Sequence, residues 1–221
     1  MISAPRRLTA EFLGSVGLSA VVVGSGIMAQ RLSPNDVGLQ LLENALATAL
    51  GLGVLIAVFI GVSGAHFNPM VSLVDAALGG RPWRDAAAYI PVQVAGCVAG
   101  SILANLMFAE AAVAWSAQER LSPQTFLAEI VATAGLVFVI FALVRLGRVS
   151  AIPVAAGAYI GAAYFFTSST SFANPAITVG RMVTDTFAGV APASGIGFIA
   201  AQLLGGAVAW ALVRWLYPVR E

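Results

Sequence analysis

Six apolar runs, at about 8–30, 39–62, 84–108, 124–146, 149–170 and 195–217, are each close to the roughly 20 residues that cross a hydrocarbon core of about 30 Å. A chain that crosses lipid must satisfy its backbone hydrogen bonds internally, which leaves helices or a closed barrel. A barrel would show segments of about ten residues alternating in polarity, whereas residues 130–143 are apolar on every face. The chain therefore reads as an all-α membrane protein of six transmembrane helices. Only 10% of its 221 residues are charged, against roughly 25% in a soluble domain.

The charges also orient it. Every basic residue is an arginine, and with the N-terminus inside, Arg6, Arg7, Arg81, Arg84, Arg145, Arg148, Arg214 and Arg220 fall on the cytoplasmic side. Arg31 and Arg120 fall outside, so both termini are expected in the cytoplasm of a multi-pass protein of the plasma or inner membrane. The first run follows Arg6 and Arg7 without a clear cleavage site and reads as a retained span. A net charge of +1 with no basic patch beyond this topology signal does not imply nucleic acid. The lone Cys97 can form neither an internal disulfide nor a zinc site, and no cofactor or metal is expected.

The chain is written twice. "LTAEFLGSVG" at 8–17 matches "FLAEIVATAG" at 126–135, "HFNPMVSLV" at 66–74 matches "FANPAITVG" at 172–180, and "PVQVAGCVAG" at 91–100 matches "IAAQLLGGAV" at 199–208. Glu11 thus pairs with Glu129, Asn68 with Asn174, and Gln93 with Gln202. The repeats run over about 1–110 and 122–221 within a single transmembrane domain. Each holds three spans, so the second enters the membrane from the opposite side and the repeats are inverted.

Between spans, the segments 68–78 and 174–185 are too short to cross and suit half a bilayer. Asn is a preferred N-cap and Pro suits the first helical position, so each Asn-Pro starts a half-helix; Gly79-Gly80 supplies a stop for the first. Re-entrant backbone is tolerated only where it is buried in protein or lines a wet cavity. Two such helices meeting N-terminus to N-terminus focus positive potential at the bilayer centre and repel cations. The side-chain oxygens of Asn68 and Asn174 cap their own helices and leave amide N–H groups for the lumen, which makes a path for neutral hydroxylated solutes.

"SGAHFNPMVSL" and "SFANPAITVGR", with the Glu and Gln landmarks, resemble the aquaporin family of major intrinsic protein channels over nearly the whole chain. The resemblance implies a right-handed bundle with a pore in each protomer, a homotetramer, and passive passage of water, glycerol or similar solutes. It implies that Asn68, Pro69, Met70, Asn174, Pro175 and Ala176 form the paired pore motifs. Glu11 and Glu129 then hold the re-entrant loops, supported by Gln93 and Gln202. His66 is expected to be structural, with its carbonyl toward the pore, and the "TSSTS" run before Asn174 to present carbonyls in the same way.

Two departures stand out. Met70 replaces the family's usual alanine and is expected to adjust packing. Ile177 stands where most members carry the arginine of the outer constriction. Counting without gaps from the two Asn residues, the remaining filter positions fall on Thr48, Ala162 and Ser171, which with Ile177 make a wide, uncharged ring. Arg181 lies one turn further out on the face of Ile177. It either reaches the outer vestibule, or snorkels to the interface or pairs with Asp185.

A wide neutral filter resembles that of aquaglyceroporins, and the ending from Asn174 resembles more narrowly a bacterial branch linked to arsenic resistance. The implied solutes are arsenite, antimonite and methylated arsenicals beside glycerol and water; the alternative is an ordinary glycerol or water channel. A proton-coupled transporter with Glu11 and Glu129 as coupling groups is the rival from another class. An enzyme is disfavoured, because no nucleophile, base and orienting group converge in the sequence. The short outer connections likewise leave little surface for an adhesion or scaffold role. Gly96 with Gly100, and Gly157 with Gly161, are expected at close helix crossings.

Overall fold

The computed structural model describes residues 2–218; Arg220 lies outside them. Long helices α1 (Ala4–Leu32) and α2 (Val37–Ser63) are followed by a short α3 (Pro69–Ala77) and a long α4 (Trp83–Met107). The order then repeats: α5 (Pro123–Arg145), α6 (Ile152–Phe166, preceded by a 3₁₀ turn at Val149–Ala151), a short α7 (Pro175–Arg181) and α8 (Pro192–Leu216). Six of these are long and apolar enough to cross a membrane once the 3₁₀ turn is counted with α6.

Local chemistry sets the boundaries. Asp36 caps α2 by accepting from the Leu39 amide at 2.9 Å. Ser122 and Thr125 close a reciprocal capping box at the start of α5, with Pro123 at the first helical position. Gly64 ends α2 at φ +93°, a conformation open to glycine.

The long helices pack in matching pairs, α1 against α2 and α4, and α5 against α6 and α8, while α2 meets α6 across the middle. Glycines set the crossings. A Cβ at Gly96 would lie 2.7 Å from the Phe12 carbonyl oxygen, one at Gly100 would collide with the Val16 carbonyl, and one at Gly157 would lie 2.5 Å from that of Ala49. On α2 the outer face, Leu42, Leu46, Leu50, Val54 and Val58, is exposed, as a lipid-facing stripe requires. The inner face carries the buried Thr48, Leu52 and Ile56.

The half-helices correct one expected boundary. The first ends at Ala77 with Leu78 as cap and Gly79 at φ +81°, as the Gly-Gly stop requires. The second does not run to residue 185, because it stops at Arg181. There the Met182 and Val183 amides turn back to the Val179 and Gly180 carbonyls at 3.1 and 3.4 Å, and the Val190 amide donates to the Arg181 carbonyl at 3.1 Å. The segment after α7 is tied down where the Ala114 and Ser116 amides donate to the Val183 and Met182 carbonyls. The fifth apolar run is likewise helical only to Phe166, and the chain from Thr167 to Asn174 is an irregular loop.

Candidate functional site

Each Asn-Pro loop hangs from a buried carboxylate. Glu11 accepts four hydrogen bonds, from Ser63 Oγ (2.6 Å), the His66 amide (3.0 Å), the Phe67 amide (2.7 Å) and Gln93 Nε2 (2.8 Å). Glu129 accepts the matching four, from Ser169 Oγ (2.6 Å), the Phe172 amide (2.9 Å), the Ala173 amide (2.9 Å) and Gln202 Nε2 (2.7 Å). Gln93 also donates to Ser72 Oγ and Gln202 to Thr178 Oγ1, both at 3.0 Å. Each glutamine thus ties its carboxylate to the half-helix beyond.

Those bonds hold backbone that would otherwise relax. Ala65, Phe67, Ser171 and Ala173 have φ values of 51°, 49°, 54° and 48°, sparsely populated for residues with a Cβ. Such residues cost on the order of 1–3 kcal/mol each and persist where neighbouring structure over-determines them. Here the carboxylates do so. The result turns the Phe67 and Ala173 carbonyls toward the opposite loop.

At the centre the two loops are tied to each other. Asn68 Oδ1 accepts from the Met70 amide at 2.9 Å and Asn174 Oδ1 from the Ala176 amide at 2.9 Å, so both cap their half-helices. Asn68 Nδ2 donates to the Ala173 carbonyl and Asn174 Nδ2 to the Phe67 carbonyl, both at 2.8 Å. One hydrogen of each amide is therefore used across the junction rather than offered to the lumen. The second hydrogen is left beside the cavity that both residues line.

That cavity, of about 250 Å³, runs from Asp75, Arg81 and Val149 at one end, past Asn68 and Asn174, to Thr48, Tyr164 and Arg181 at the other. Its walls are aliphatic, from Leu18, Val22, Leu136 and Ile140 among others. Val71 and Ile177, each third in its half-helix, also line it.

The ring expected around Ile177 differs from the sequence count at one position. Thr48, Ser171 and Ile177 line the cavity, but Ala162 is exposed on the opposite face of α6. The reason is helical register: a count of twelve back from Asn174 lands two places short of the residue that α6 turns to the lumen. The lumen-facing series is Ile152, Ala156, Ile160 and Tyr164, and a residue two places off such a series is turned by about 200°. Tyr164 stands in the ring instead, its hydroxyl 3.1 Å from Thr48 Oγ1.

Arg181 is 3% exposed and lines the cavity, and Asp185 is occupied by the Ala117 amide at 3.0 Å. The guanidinium carbon of Arg181 sits 3.5 Å from the Phe172 ring centroid, and its Nε donates to the Ala188 carbonyl. Arg181 therefore neither snorkels nor pairs with Asp185. At the other end His66 lines the wall, and its side chain is held with Nδ1 3.0 Å from Ser72 Oγ and Nε2 3.5 Å from Asp75 Oδ2. Asp75 is paired with Arg81 at 3.2 Å, and Arg81 also donates to Tyr89 Oη and the Ser63 carbonyl. Sequence reasoning passed over Tyr164, Phe172 and the Asp75–Arg81 pair; the four-residue spacing of Ile152 through Tyr164 was the available signal for the first.

Met70 does not line the cavity. It packs with Val71, Val74, Val137 and Phe141, its terminal methyl filling the place a Cβ would take at Gly206. The equivalent pair in the other half is Ala176 and Cys97, so bulk moved from α8 to the half-helix in one repeat. Gly206 explains Met70.

Spanning helices that close around a lumen, with re-entrant loops meeting inside it, define a transmembrane channel. A model of the major intrinsic protein family matches residues 1–171. The chain is 50% identical over 211 residues to aquaglyceroporin AqpS of Rhizobium meliloti (strain 1021), covering 96% of this chain and 90% of that protein. It is 35% identical over 106 residues to the glycerol uptake facilitator protein of Streptococcus pneumoniae, over 46% of this chain and 44% of that one. In fold it matches the aquaglyceroporin from Plasmodium falciparum at a TM-score of 0.74, with 21% identity and 96% of both chains covered. The chain belongs to the major intrinsic protein family. It is an aquaglyceroporin-type membrane channel and not an enzyme.

Proposed function

We propose that this channel carries small neutral hydroxylated solutes passively: glycerol, water, arsenite, antimonite and methylated arsenicals. The observation that carries the reading is Ile177 on the lumen wall, where an aliphatic side chain leaves the ring around Thr48 and Ser171 open to solutes larger than water. Relatives named as an aquaglyceroporin and a glycerol uptake facilitator support the glycerol arm. The chemistry of arsenous acid supports the metalloid arm, since it is neutral near pH 7 and presents hydroxyls as a small polyol does. Tyr164 narrows the ring relative to an alanine and adds a hydroxyl to it.

The pore motifs at Asn68–Pro69–Met70 and Asn174–Pro175–Ala176 form the central constriction of two inverted repeats, about 1–110 and 122–221. Glu11, Glu129, Gln93, Gln202 and His66 support them. The functional unit is a homotetramer in the cell membrane. The end bearing Arg7, Arg81 and Arg145 faces the cytoplasm with both termini, and the end bearing Arg31 and Arg120 faces outward.

Purified protein in vesicles tests this. Glycerol and arsenite uptake should follow the solute gradient and be unchanged by a proton ionophore. Saturating uptake that collapses with the ionophore would establish the coupled transporter instead, with Glu11 and Glu129 as its carriers.

A further inference from the structure

The two ends of the lumen are built differently in charge. At the inner end Arg81 meets the Asp75 carboxylate, and its remaining donors reach Tyr89 Oη at 2.6 Å and the Ser63 carbonyl at 2.8 Å. At the outer end Arg181 occupies the seventh position of α7, as Asp75 does in α3, and has no carboxylate. Its only side-chain hydrogen bond among the described residues runs from Nε to the Ala188 carbonyl, which leaves the terminal nitrogens without a protein acceptor. Phe172 covers one face of the guanidinium and fixes its plane.

The surrounding carboxylates are all committed elsewhere. Glu129 is surrounded by four donors, Asp185 accepts from the Ala117 amide, and Glu119 accepts from Ser194 Oγ at 2.8 Å. Arg120 adds a second cation 6.0 Å from the same Phe172 ring, with Nε and Nη2 bound to the Gly189 and Phe187 carbonyls at 2.7 Å each. Among the described residues neither arginine forms an ion pair. A second unpaired group lines the same cavity as Arg181. Ser171 lines the cavity, is 4% exposed, and its buried hydroxyl has no partner.

A guanidinium buried without a counter-ion is costly, and a fixed fork of N–H donors matches two oxygens on one centre. We propose that Arg181, with the Ser171 hydroxyl and the Phe172 face, forms an oxyanion subsite in the outer lumen for a compact carboxylate-class monoanion. The fork takes the paired oxygens in bidentate fashion and the serine donates to one of them. Ile177, one turn away on the same helix face, bounds the size of the occupant. The subsite rests on the reading of this cavity as a solute path, and an anion seated there obstructs that path.

The test is glycerol flux in vesicles equilibrated on both sides with sodium formate, the smallest planar carboxylate, or with neutral formamide. Each protein is compared with its own formate-free rate. In the native channel, formate at roughly 10 mM should lower glycerol permeability about twofold, as one bidentate charge-assisted pair in a wet lumen implies, while formamide leaves it unchanged. Arg181→Met should lose the formate effect. Arg181→Lys, which keeps the charge without the fork, should need about tenfold more formate. No effect of formate on a native channel that carries glycerol overturns the subsite and leaves the channel reading standing. Equal inhibition in native and Arg181→Met overturns it as well, and if that variant carries too little glycerol to measure, undiminished inhibition in Arg181→Lys does so. A native protein that carries no glycerol removes the channel reading and the subsite with it.

Discussion

Replacing Glu129 with glutamine preserves volume, and the bonds it breaks can be counted. Oε1 accepts from Ser169 Oγ and the Phe172 amide, and Oε2 from the Ala173 amide and Gln202 Nε2. Whichever oxygen becomes an NH₂ group, it faces one backbone N–H. Ser169 can rotate and Gln202 can flip, but the backbone amide has no such freedom. One orphaned N–H costs about 1–3 kcal/mol, and the three surviving bonds lose charge assistance worth about 0.5–1 kcal/mol each. Relief from burying a carboxylate offsets part of this, leaving a net loss of about 2 kcal/mol. Chemical unfolding of the detergent-solubilised variant reads the loss directly. Glycerol flux per folded protein should fall as well, because the displaced Ala173 carbonyl is the acceptor for Asn68. A variant as stable as the native protein that lost only proton-dependent accumulation would refute the reasoning and favour a coupling role for the carboxylate.

Four other substitutions follow from the packing and the central hydrogen bonds. Met70→Ala should cost about 2–4 kcal/mol for the void left against Gly206, and Gly206→Ala about 1–3 kcal/mol for the collision with the Met70 methyl. The double variant should cost at least about 1 kcal/mol less than their sum in a double-mutant cycle. Gly100→Leu should force α4 off the Val16 carbonyl of α1 and abolish recovery of folded protein on size-exclusion chromatography. Asn68→Asp keeps the cap on α3 but loses the donor to Ala173, so thermal unfolding should show about 1–2 kcal/mol lost.

The parts of this channel that were legible in the sequence are those fixed by local or repeated chemistry. Asn-Pro states a helix start wherever it falls, and Glu11 and Glu129 could be matched because each repeat carries the same task in the same order. The six spans were readable because lipid permits few alternatives. Ala162 failed for a reason of register. A count of twelve back from Asn174 lands on the exposed side of α6, and Tyr164, two places nearer to Asn174, takes the place on the cavity wall. Arg181 could not be placed from spacing, because its position depends on how 182–190 folds back to supply the Ala188 carbonyl. Met70 made sense only once Gly206 was seen across from it.

In the proposed function Ile177 separates a solute channel from a strict water pore, and its substitution by arginine tests that division. Vesicle swelling would be followed in water, glycerol and arsenite gradients for the native chain and for Ile177→Arg, which places a second guanidinium one turn from Arg181. Glycerol and arsenite permeability should fall about tenfold, equivalent to about 1.4 kcal/mol of added barrier, with water reduced far less. Equal loss of all three, or no loss of any, would contradict the placement of Ile177 in the selective ring.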